Sequence, residues 1–177
     1  MKQYNELPII ENNDILLRPI TLYDTENIIR WRNNPKVSKH FIFRDTLTRE
    51  IHILWLYEKV FSGKCIQYII EEKNSNVAIG SVYFRDVDYV QKSAEFGIFI
   101  GEDAYRSKGI GSKVTNIFKE FGFDTLRLEK IFLRVIGNNL RAYKSYMKAG
   151  YVFDHCESVE INGKEEIVNF MVSNRIK

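Results

Sequence analysis

AYRSKGIGSKVTNIF, residues 104–118, carries the reading of this chain. Two glycines, Gly109 and Gly111, stand one residue apart among basic side chains. Downstream, Ile110, Val114, Ile117, Phe118 and Phe121 fall on one face of a helix that Gly122 nearly closes. Upstream, SAEFGIFIG (93–101) has the β-branched and aromatic content of a strand. A strand feeding a glycine-rich loop and a helix makes an anion site, because the first-turn amides lack partners and the helix dipole favours negative charge. The glycines let backbone approach a ligand, and Arg106, Lys108 and Lys113 add charge suited to a diphosphate. A tight turn kept soluble by basic residues is the plainer alternative. The Walker pattern needs four residues between its glycines, then Gly-Lys-Ser/Thr, and GIGSK does not supply them. The dinucleotide fingerprint needs a small residue where Val114 stands and an acid after the next strand, whereas Glu129 precedes it.

Working outward, residues 1–13 are polar and irregular, and ILLRPI (15–20) is a first strand. Asp24 is placed to cap a short helix through TENIIRWRNN that the breaker Pro35 follows. Thr46 or Thr48 caps a second helix ending near Ser62 and Gly63. IQYIIEE (66–72), VAIGSVYFRDVD (77–88) and the 93–101 run are three strands of an antiparallel meander. KIFLRVI (130–136) is another strand, Asn139 starts a helix, and Gly150 stops it. In the tail, Asn162-Gly163 joins two alternating segments as a type I′ hairpin turn. The pattern predicts an α+β (α/β) domain spanning 1–177, with a mixed, mostly antiparallel sheet of six to seven strands and about four helices.

The chain has 177 residues, 45% hydrophobic and 28% charged, with a formal net charge of +3, as expected of one ordinary globular domain. Lys and Arg are not clustered densely enough for a nucleic-acid surface. The two cysteines, Cys65 and Cys156, have no metal-type spacing, and the three histidines are scattered, so no metal site is expected. No signal-peptide block or 18-residue apolar run is present, which points to a reducing, cytoplasmic setting without a membrane anchor.

The loop matches Arg/Gln-x-x-Gly-x-Gly/Ala through Arg106, Gly109 and Gly111. NLRAYKSYMKAGY (139–151) matches Asn-x-x-Ala-x-x-x-Tyr-x-x-x-Gly-Phe/Tyr through Asn139, Ala142, Tyr146, Gly150 and Tyr151. With both motifs in order across a strand, the chain resembles the GNAT superfamily of acetyl-CoA-dependent N-acetyltransferases from about residue 15 to 172. WRNNPKV and AEFGIFIG look most like the branch holding ribosomal-protein N-terminal, polyamine and nucleotide-amino-sugar acetyltransferases. One departure is Ser107, where many relatives carry another glycine.

The resemblance implies that backbone amides of Arg106, Ser107, Lys108, Gly109, Ile110, Gly111 and Ser112 hold the pyrophosphate of coenzyme A. It implies that the pantothenate arm lies along Ile98, Phe99 and Ile100, where that strand and KIFLRVI diverge, with Asn139 and Ala142 beside it. Tyr146 is the implied acid for the departing thiolate; a core aromatic is its alternative. The attacking amine must lose a proton. Alternation across 94–100 puts Glu95 on the cleft face as the candidate base, against a plain surface carboxylate. Trp31, Arg32 and Asn33 border the acceptor side in this branch, although Trp31 would serve the core equally well.

The expected reaction is direct acetyl transfer from acetyl-CoA to a primary amine of a small molecule or peptide, without metal. The acceptor reading leans to a nucleotide-linked amino sugar or a peptide N-terminus, with a polyamine as alternative. A non-catalytic acyl-CoA-binding module is the rival from another class. The terminal hairpin offers an edge for a homodimer.

Overall fold

The computed structural model describes residues 7–175. The chain runs β1 (Ile10–Glu11), β2 (Ile15–Pro19), α1 (Thr25–Arg32), α2 (Pro35–Ser38), α3 (Arg49–Trp55), β3 (Ile66–Glu72), β4 (Val77–Asp88) and β5 (Ser93–Ile100). It continues through α4 (Ile110–Asp124), β6 (Lys130–Ile136), α5 (Leu140–Lys148), β7 (Val152–Ile161) and β8 (Lys164–Asn174). The strands form one eight-stranded sheet in the order β1-β2-β3-β4-β5-β6-β8-β7. Every neighbouring pair is antiparallel except β5 and β6.

The α+β reading holds, with one more strand than expected. The extra strand is β1: Ile10 faces Leu17 and Glu11 faces Leu16 across a tight reversal too short to show periodicity. The irregular reading of residues 1–6 lies outside the described residues. The additional helix is α2, where Pro35 opens a turn instead of only ending one. Its missing N–H costs nothing at that position, and the Asn34 side chain accepts from the Lys36 amide at 3.0 Å. Asp24 occupies the cap position of α1 but does not cap it. Its carboxylate turns back to Arg18 at 2.7 and 2.8 Å and to the Thr21 amide at 2.8 Å. Thr48 does cap α3, accepting from the Ile51 amide at 3.4 Å. At the tail, Ile161 pairs Lys164 around Asn162 (φ 52°) and Gly163 (φ 75°), the two positive values a type I′ turn requires.

Strand alternation sorts β5 between two cores. Ala94 and Phe96 pack with Phe84, Val114 and Phe118 beneath α4, where Phe84 and Phe118 stack at 4.5 Å. Phe99, on the opposite face, joins Ile20, Ile28, Trp31 and Leu56 beneath α1. Removing a ring as buried as Phe118 costs about 3–5 kcal/mol.

What positions the site is a fork in the sheet. β5 and β6 pair only from Ser93–Lys130 to Glu95–Phe132. Beyond that point β5 stays with β4 as far as Ile100, while β6 stays with β8 as far as Ile136. The edge of β5 from Phe96 to Ile100 is therefore open on its β6 side.

Candidate active site

A cavity of about 1070 Å³ occupies the fork and runs from the 106–112 loop to the 39–43 loop. At one end, Gly109 takes a left-handed φ of 78° ahead of α4, a conformation a side chain would strain. The first α-helical bond after it runs from the Lys113 amide to the Gly109 carbonyl at 3.1 Å. The amides of Ile110, Gly111 and Ser112 precede that bond and have no carbonyl of the helix to reach. A Cβ built on Gly109 or Gly111 meets nothing within 4 Å, so the backbone here faces open space. These are the features a bound pyrophosphate needs, and the residues fit it.

The basic side chains of the loop do other work. Arg106 donates to the Ile100 and Gly101 carbonyls, each at 3.1 Å, and pairs with Asp103 at 2.9 Å, fixing the turn from strand to loop. Lys108 lies over the Tyr105 ring and outside the cavity lining, and Lys113 pairs with Asp14. Cationic side chains reach this end from α5 instead, as Arg141, Lys144 and Lys148. Ser107, where a glycine is the commoner choice, carries a φ of 67°, and its hydroxyl accepts from Arg141. Asn139 caps α5, accepting from the Ala142 amide at 3.2 Å, and both residues line the cavity. Ser112 and Ser145 hydrogen-bond at 2.7 Å, joining α4 to α5.

One α5 turn on from Ala142, Tyr146 reaches the fork. Its ring packs edge-on against Phe96 at 6.1 Å and Tyr151 at 6.0 Å. Its hydroxyl has no hydrogen-bond partner among the described residues. Burial, with Tyr83 nearby, pushes this phenol well above its ordinary value, so it holds its proton at any physiological pH.

The other end is built from residues far apart in sequence. Glu95 lies at the last rung of the β5–β6 pairing and is buried. Arg85 donates to it at 2.8–3.0 Å and Arg134 at 3.0–3.2 Å, so each oxygen accepts from both guanidiniums. Phe43 stands between them, its ring centre 5.6 Å from Arg85 and 5.9 Å from Arg134. Arg32 stacks on Phe41 at 4.1 Å and donates to the Phe43 carbonyl at 3.1 Å. Nothing in the local sequence foretold this cluster, apart from a lone arginine in the middle of the apolar run IFLRVI.

Two expected acceptor residues are structural. Trp31 is 1% exposed, packs edge-on against Phe99 at 6.2 Å and donates to Glu102 at 2.8 Å. Gly101 leaves room for it, since a Cβ there would lie 2.1 Å from the indole. Asn33 makes two 2.9 Å bonds to the Leu47 backbone and does not line the cavity. Arg32 alone of the three faces it. Nine Lys and Arg among the described residues line the cavity against one carboxylate, Glu95. Among the described residues no group of acidic, histidine or cysteine side chains could hold a metal. No described helix is long and apolar enough to cross a membrane.

Comparison with known proteins agrees with this geometry. The family model described as "Acetyltransferase (GNAT) domain" matches residues 14–152. A Methanocaldococcus jannaschii protein named "Uncharacterized protein MJ1062" is 31% identical over 153 residues, 84% of this chain, which spans only 30% of that protein. The "Spermidine N(1)-acetyltransferase" of Vibrio cholerae is 27% identical over 163 residues, 90% of this chain and 92% of that protein. A crystal structure of spermidine N-acetyltransferase from Vibrio cholerae, in complex with CoA and spermine, superposes with a TM-score of 0.85 at 24% identity, covering 92% of this chain and 96% of that one. The glycine-capped amide cradle, the forked sheet and the family match agree: the chain belongs to the GNAT acetyltransferase family and is an acetyl-CoA-dependent N-acetyltransferase.

Proposed function

We propose that this enzyme acetylates a primary amine by direct transfer, with Tyr146 as the acid and no covalent enzyme intermediate. The observation that carries this reading is the Tyr146 hydroxyl, protonated, without a hydrogen-bond partner among the described residues, and at the fork where the edge of β5 lies open. Acetyl-CoA, when bound, supplies the activated acetyl thioester. Amides of 107–112 would hold its pyrophosphate, whereas the Arg106 amide, expected there too, already donates to the Asp103 carbonyl at 3.2 Å. The backbone of Ile98, Phe99 and Ile100 would border its arm, and Asn139 and Ala142 shape the entrance to the fork. Tyr146 protonates the departing sulfur as the amine nitrogen bonds to the acetyl carbon. Glu95 is a poor collector of the amine's proton, because two guanidiniums already fill both its oxygens. We assign proton removal to water in the cleft, and to Glu95 the holding of Arg85 and Arg134.

The acceptor we favour is a nucleotide-linked amino sugar or a peptide N-terminus, acted on in the cytoplasm by one domain spanning 1–177. Spermidine N-acetyltransferases at 26–27% identity favour a polyamine instead. A polycation needs free carboxylates, and the only one lining this cavity among the described residues is already occupied twice. A cation about 6 Å from Arg32 would meet repulsion of about 3 kcal/mol at an effective dielectric near 20. Thiol release from acetyl-CoA across a panel of amino sugars, peptides and polyamines tests the proposal. Turnover with an amino sugar or peptide supports it, whereas turnover confined to spermidine or spermine replaces the acceptor. No turnover together with no coenzyme A binding overturns the assignment.

A further inference from the structure

The acceptor end of the cavity carries more positive charge than its own structure uses. Lys36 is neutralised by Asp103. The remaining cations there are Arg32, Lys39, Arg85 and Arg134; the only carboxylate lining this end among the described residues is Glu95, and Asp86, outside the lining, lies 3.9 Å from Arg85, which leaves a formal excess of two. Glu95 takes the Nε and Nη2 donors of both Arg85 and Arg134, and Nη1 of each keeps its N–H donors without an acceptor among the described residues. Arg32 spends one donor on a neutral carbonyl and pairs with no carboxylate among the described residues. Burial and the nearby Arg85 both press against its charge. A half-buried guanidinium in that position gains most from an oxyanion ligand.

Resting on the transfer reading above, we infer that Arg32, Arg85 and Arg134 form a phosphate subsite, and that the acceptor amine is borne by a phosphate ester carrying at least two negative charges. Glu95 is the positioning residue of this subsite: it aligns two planar forks at a fixed spacing and leaves one edge of each for the ligand. A single carboxylate on a peptide would satisfy only part of the excess. A diphosphate matches both its size and its geometry, since each guanidinium can bind two oxygens.

The test is calorimetric binding to the full chain saturated with coenzyme A, so that the 107–112 cradle is filled. The probes are uridine diphosphate, uridine, succinate and spermidine. Uridine diphosphate is expected to bind at least about tenfold tighter than each of the others. Arg32→Ala is expected to weaken it roughly 10- to 100-fold and Arg32→Lys to recover part of that loss, with coenzyme A affinity unchanged. Arg134→Gln gives a second reading should Arg32→Ala unfold the 39–43 loop. The subsite is overturned if uridine diphosphate binds no tighter than uridine, if succinate or spermidine binds tighter, or if no arginine variant changes the order. Coenzyme A binding and amine-dependent thiol release are measured separately, so loss of the subsite leaves the transfer reading standing or falling on its own data.

Discussion

Replacing Tyr146 by Phe removes one oxygen and leaves the packing in place. The ring keeps its contacts with Phe96 and Tyr151 at about 6 Å, and no hydrogen bond of the described structure is broken. Folding stability and coenzyme A affinity should therefore stay within about 0.5 kcal/mol of the parent. The rate should not. A positioned acid contributes about 10²- to 10⁴-fold, and a thiol with an ordinary pKa near 8.5 is already a tolerable leaving group, so a kcat loss of about 10²- to 10³-fold is expected, or about 3–4 kcal/mol of barrier. Because burial holds this phenol protonated, the parent's kcat should show no falling limb up to about pH 9.5. Single-turnover thiol release measures the chemical step, and calorimetry with coenzyme A measures the ground state. Tyr151→Phe is the matched control: it deletes a buried hydroxyl that lacks a partner among the described residues, and should leave kcat unchanged while stabilising the fold by about 1 kcal/mol. A loss below fivefold in Tyr146→Phe, or an equal loss of coenzyme affinity, refutes the acid.

Glu95→Gln leaves Arg85 and Arg134 facing each other without the charge between them, which should cost about 3 kcal/mol and lower the melting temperature by roughly 6–12 °C. If Glu95 were instead the base, the same variant would in addition lose about 10²- to 10⁴-fold in kcat with coenzyme A affinity retained. His52 is 2% exposed, and burial pushes it down to about 4 from an ordinary 6.5. Below pH 6.5 the unfolded chain takes a proton that the folded one refuses, so stability falls between pH 6.5 and 4 by about 3 kcal/mol and is flat above that window. Urea unfolding of the parent against His52→Gln reads this directly, and identical slopes would exclude it. Gly109→Ala forces a side chain into a φ of 78°, a strain of about 1–2 kcal/mol. The new Cβ meets open space, so the fold should survive while coenzyme A affinity drops about tenfold by calorimetry.

What the sequence disclosed was whatever short spacing encodes. Gly109 and Gly111 ahead of an amphipathic run, Asn139 ahead of another, and Asn162-Gly163 between alternating segments each specify a local conformation, and each stands where expected. Trp31 was ambiguous because an aromatic at a helix end serves a core or a ligand equally well, and the acceptor reading of Asn33 rests on its place beside it. The deciding facts are tertiary: Gly101 opens room for the indole, and the Leu47 backbone takes both ends of the amide. The arginine cluster was hidden for another reason. Residues 85, 95 and 134 meet through the register of β4 on β5 and the short β5–β6 pairing, and Arg32 is brought to them from the end of α1 by its contacts with Phe41 and Phe43. A charged side chain in the middle of an apolar strand does announce that a partner exists, but not which one.

The imbalance of nine cations to one carboxylate among the described residues around the cavity also bears on traffic. Such a lining draws anionic molecules from bulk solvent faster than random collision would, and the gain fades as salt shortens the Debye length towards about 8 Å. The same attraction acts on the way out: acetyl transfer removes no phosphate, so the spent coenzyme departs with the full charge of its donor form. At low ionic strength turnover should then be paced by departure, and moderate salt should speed the cycle before it weakens capture.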